Sequence, residues 1–91
     1  MAHTFDELVE KQRAANQAHE EVLKLRDLYG PPTAHPWTEQ QTDTYETAWR
    51  AWRDLARDVQ AAMTEYAKER DQPRSDVEEE VKSRARPKDT P

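Results

Sequence analysis

Apolar residues recur at helical spacing along two long stretches, and each stretch is closed by residues that end helices. In the first, Phe5, Leu8, Ala15, Ala18, Val22, Leu25 and Tyr29 fall three, four or seven apart, so they line one side of a helix. Thr4 is a fitting N-cap, and Glu7, three residues on, completes the capping-box pattern. Asp6 and Glu7 also suit the positive end of the helix dipole. Gly30, the single glycine, stands where a left-handed residue past the C-terminus is wanted. Pro31 and Pro32 follow and cannot continue a helix. The pattern predicts a helix over about 4–29.

The second stretch predicts a helix over about 37–71. Thr38 and Gln41 form another capping box, Trp37 sits just before it, and no Gly or Pro interrupts the run before Pro73. Tyr45, Trp49, Trp52, Ala56, Val59, Met63 and Tyr66 are spaced alternately four and three, the heptad seam of a coiled coil. Ala48, Leu55 and Ala62 widen that seam into a stripe. Between the helices, Pro31, Pro32 and Pro36 stiffen a short connection, which implies an antiparallel hairpin. In that register Tyr29 faces Thr38, Val22 faces Tyr45, Ala18 faces Trp49, Ala15 faces Trp52 and Leu8 faces Val59. Small residues would then receive the tryptophans, as close packing requires. Trp37 is expected to close the hairpin end; the other reading of Pro31–Trp37 is a recognition loop.

After Pro73 the pattern weakens. Val77 and Val81 are one turn apart, and Ser75 with Glu78 is a third capping-box pattern. A short third helix near 76–85 is expected, too short to be stable alone, with disorder from Arg86 onward. The organisation so read is an all-α helical hairpin over 1–72 and a charged, largely flexible C-terminal tail over 73–91. The basic end of that tail, Arg84, Arg86 and Lys88, is read as solvated, or alternatively as a segment that folds on a partner.

Composition turns this hairpin into an incomplete object. The chain has 91 residues, of which only 34% are hydrophobic and 36% charged. Small domains bury only ~60% of the surface their unfolded chain exposes, and with no cysteine there is no disulfide or thiolate metal site to compensate. Docking or oligomerisation is the remaining staple. The stripe on the second helix is also wider than one facing helix can cover, and Trp and Tyr are enriched at interface hot spots. Completion into a bundle by a partner protein or a second copy is therefore expected, a two-fold homodimer being the commonest form. The expected partner-binding residues are Tyr45, Trp49, Trp52, Leu55, Val59, Met63 and Tyr66.

Charge and candidate chemistry narrow the function further. The net charge is −5 and no segment is a basic block, so nucleic acid has no electrostatic head start. Arg50, Arg53 and Arg57 do form a ridge beside the tryptophans, which supports an alternative reading as a nucleic-acid-associated regulator. Glu46 and Asp54 interleave with them, which favours pairing along the helix surface instead. There is no Gly-x-Ser-x-Gly elbow, and one glycine cannot build a phosphate-cradling loop. His3, His19 and His35 match neither Glu-x-x-His nor His-Glu-x-x-His spacing. No catalytic, cofactor or metal site is expected. No run approaches the ~18–20 apolar residues of a membrane span, and no signal peptide is evident, so a cytoplasmic location is expected. The absence of Ile with heavy use of Ala, Arg, Asp and Glu points to a high-GC coding sequence of a bacterial or phage kind. The expectation is a small non-enzymatic protein–protein interaction module: an adaptor, an inhibitor or a small subunit of a larger assembly.

Overall fold

A computed structural model describes residues 3–86. They form three helices, α1 (Phe5–Tyr29), α2 (Glu39–Glu69) and α3 (Arg74–Ala85), and the described residues contain no strand. α1 and α2 make the long hairpin expected from the periodicity, and α3 packs against both.

The helix ends follow from their residues. Thr4 accepts a hydrogen bond from the Glu7 backbone N–H at 3.1 Å. At the start of α2 the capping box is complete: the Gln41 N–H donates to the Thr38 hydroxyl at 3.1 Å, and the Thr38 N–H donates to the Gln41 side-chain oxygen at 3.0 Å. Gly30 ends α1 with φ 72° but ψ 175°, not a left-handed helical ψ. The following Pro31 excludes helical ψ at the residue before it, so Gly30 combines positive φ with an extended ψ that is essentially restricted to glycine. α2 ends in a Schellman motif: Gln72 N–H reaches the Ala67 carbonyl (3.0 Å), Asp71 N–H reaches that of Lys68 (3.3 Å), and Asp71 takes φ 54°.

α3 differs from the sequence reading at its start and in its importance. It begins at Arg74, and Ser75 lies inside it rather than capping it. Pro73 supplies the extended residue before the helix (φ −61°, ψ 131°), and its carbonyl accepts from Asp76 and Val77. Glu78, freed from any capping role, bridges Arg74 (2.7 Å) and Lys82 (2.8 Å) one turn to either side. These two cations hold its carboxyl below its usual range, the hydrogen bond from Lys82 contributing most. Val77, Val81 and Ala85 are buried, so residues 74–85 are part of the packed body rather than of a separate tail. The end of the expected tail, residues 87–91, lies outside the described residues.

The core sits where all three helices meet: Leu8 and Ala15 from α1, Val59, Ala62, Met63, Tyr66 and Ala67 from α2, Val77 and Val81 from α3, edged by Phe5 and Leu55. Phe5 and Tyr66 have ring centroids 6.3 Å apart. α3 stops near the middle of α1, where the Arg13 guanidinium donates to the Arg84 carbonyl at 3.3 Å. Beyond that point the hairpin continues as a two-helix arm. Val22 and Leu25 are buried within it. At its tip Trp37 stands edge-on between Tyr29 (5.5 Å) and Tyr45 (5.0 Å), and its indole N–H donates to the Gly30 carbonyl at 2.8 Å. The proline-bearing segment is thus a connector locked by Trp37.

Candidate interaction surface

α2 positions the expected partner-binding residues, but only some of them are available to a partner. Val59 (1% exposed), Met63 and Tyr66 are buried in the chain's own core. This corrects the sequence reading, and α3 is the cause: it supplies the second layer that those residues had been expected to find in another molecule. Leu55 packs against the edge of the same core. Tyr45 is half-buried under Trp37. Trp52 stacks on His19 with centroids 4.4 Å apart and planes 23° from parallel, one turn along α1 from the Ala15 expected to receive it.

Trp49 stands furthest from expectation. It is 40% exposed, with the Arg53 guanidinium 5.4 Å over its ring, and does not sit in the α1–α2 seam. The reason is geometric. Trp49 lies five full turns before Ala67 and so on the same side of α2, yet Ala67 is buried in the three-helix core. What differs is the cover: α3 stops near the middle of α1, and the Trp49 end of that side faces no third helix.

That uncovered side carries an apolar cleft of about 360 Å³, lined by Trp49, Trp52, Arg53, Ala56, Arg57 and Gln60. A second shallow hollow on the other side of Trp49 is bounded by Tyr45, Glu46 and Arg50. The arginine ridge flanks both. Arg50 pairs with Glu46 at 3.4 Å and Arg53 with Asp54 at 3.3 Å, whereas Arg57 joins none of the ion pairs formed among the described residues. Two of the three arginines are thus locally balanced. The surface offers aromatic area with a mildly basic rim, not a phosphate-binding stripe.

The chain matches no known protein family, no curated protein and no solved structure.

The remaining candidates have structural explanations. His3 joins the start of α1 to α2, 2.9 Å from Glu65 and 3.6 Å from Glu7. His19 serves as the flat support for Trp52, and His35 is exposed in the connector. Among the described residues no three His, Asp or Glu side chains are grouped to hold a metal ion, and no helix is long and apolar enough to cross a membrane. A second cleft lies between α1 and the end of α3, walled by Arg13, His19, Glu20 and Arg86. Two of its arginines are engaged locally: Arg13 with Glu10 at 2.7 Å, and Arg84 over the Phe5 ring at 5.6 Å. Cations here also complement the negative end of α3. Ala56 and Gln60 are the surface residues the sequence reading missed as part of a site. They lie seven and eleven residues from Trp49, the three-and-four spacing of the seam, which does not by itself separate an open surface from a covered one.

Proposed function

We propose that this protein is a non-enzymatic interaction module that binds protein through the α2 surface centred on Trp49, with Tyr45, Trp52 and Ala56 around it. One observation carries the reading: a tryptophan 40% exposed beside an apolar cleft on a regular helix. Large aromatic side chains at such places anchor protein interfaces, where a few of them supply most of the binding energy. The half-balanced arginines favour a protein over a nucleic acid, whose affinity would depend on several unpaired cations acting together. An adaptor, an inhibitor and a small subunit all use such a surface in the same way.

A photo-reactive phenylalanine analogue placed at position 49, in the cells that make the chain, tests this. A discrete protein adduct from position 49, absent when the analogue is at the exposed Glu69, is the expected result. Equal, diffuse labelling from both positions would refute the reading.

A further inference from the structure

The cleft beside Trp49 has the geometry of a receptor for a helix. Trp49, Trp52, Arg53 and Ala56 are spaced three, four and seven residues from the first, and Arg53, Ala56, Arg57 and Gln60 repeat that spacing. Four residues so arranged form the hole into which a facing helix sets a side chain. The second hole has the small Ala56 at its floor. The same ridge also carries a knob, the exposed Trp49, about 10 Å from Ala56 along the axis. A knob and a hole on one ridge make a surface that fits itself when one copy is turned end for end, which is what an isologous contact requires.

Charge selects the same orientation. Glu46 and Arg57 lie on the same flank of the ridge, toward its two ends and with opposite sign. In an antiparallel two-fold contact that flank meets itself reversed. Glu46 then lies across from Arg57, which joins none of the ion pairs formed among the described residues. In a parallel two-fold contact that flank would face the opposite flank of the partner helix, and Glu46 and Arg57 would not meet. We propose that a second copy of this chain occupies the surface, its α2 antiparallel to the first, with each Trp49 seated over the other copy's Ala56. This rests on the reading of the surface as protein-binding and names its occupant.

Sedimentation equilibrium on the full chain from roughly 1 µM to 1 mM tests it, a range that resolves micromolar to near-millimolar dimers. The wild type is expected to dimerise. Trp49→Ala, which empties the hole, and Ala56→Trp, which fills it, should each weaken the dimer about tenfold or more, the effect of ~1.4 kcal/mol. Both positions lie off the core, so helical content by circular dichroism should hold. Glu46→Arg or Arg57→Glu alone should weaken the dimer, and the two together should restore it. A wild type that stays monomeric at the highest concentration overturns the proposal, as does a dimer indifferent to both Trp49→Ala and Ala56→Trp, or a double charge reversal weaker than either single one. Should position 49 cross-link only to a protein of different mass, this inference fails while the protein-binding reading stands.

Discussion

Val81→Ala measures whether α3 belongs to the body of the protein, and the sign of its effect is diagnostic. Val81 is fully buried, in the cluster that joins α3 to Leu8 and Met63. The substitution removes two methyl groups' worth of apolar burial, about 1.6 kcal/mol at ~0.8 kcal/mol per methylene. Incomplete collapse around the gap adds about 0.5–1 kcal/mol, at ~24 cal/mol per Å³ of remaining cavity. Alanine opposes this as the better helix former, by about 0.5 kcal/mol. The net loss is about 2 kcal/mol, which for a chain of this size lowers the melting temperature by about 10 °C. Thermal unfolding followed by circular dichroism reads it directly. Ser83→Ala, on the exposed side of α3, is the control: propensity acts there alone, so stability should rise by a few tenths of a kcal/mol. If α3 were only laid against the hairpin, Val81→Ala would behave like Ser83→Ala and raise the melting temperature. That result would refute the three-helix core.

Three further outcomes follow from the turns and from α3. Asp71→Gly should raise stability by about 0.5–1 kcal/mol, because a left-handed φ of 54° is strained for an L-residue and an acid there opposes the negative end of α2; a lower melting temperature would contradict this. Gly30→Ala should cost about 1–3 kcal/mol through backbone strain alone, since no side-chain or backbone atom lies within 4 Å of an added Cβ. A synthetic chain with D-alanine at position 30 should largely recover that loss, and failure to recover would mean the cost arises elsewhere. For Glu78 the folded carboxyl is held below its usual range by Lys82 and Arg74, so its contribution is present above the unfolded-state value and is lost as pH falls through the folded one. Glu78→Gln should therefore melt below wild type at neutral pH, with the gap closing on acidification; a gap independent of pH would count against the ion-pair explanation.

The two long helices were legible because their signals are local. Thr4, Gly30, Pro31 and the Thr38–Gln41 box each fix an end through bonds spanning a few residues. Which face of α2 is covered, and by what, was not legible in that way. The seam from Tyr45 to Tyr66 is continuous in sequence, but the chain divides it: Val59, Met63 and Tyr66 fall within the three-helix core, while Trp49 lies beyond the end of α3. α3 itself was underestimated because only Val77, Val81 and Ala85 mark its inner face. Such a helix gains stability from docking, a non-local term that propensity and charge content do not report. Ala56 was visible as a small residue in a seam, but its role as the floor of an open cleft depends on where α3 stops.

Because α3 ends near the middle of α1, the molecule is held unevenly along its length. Residues around Leu8, Met63 and Val81 are enclosed by three helices, whereas Val22 and Leu25 rely on two. Local opening free energies track buried apolar contact, so amide hydrogens of the arm should exchange with solvent ahead of those in the three-helix end, as a fraying that starts at the proline turn. The α2 surface around Trp49 spans this less protected half. Anything seated on it binds the closed arm and not the opened one, and mass action then converts occupancy into protection. The extent of exchange in the arm, followed against concentration, thereby becomes a measure of how full that surface is.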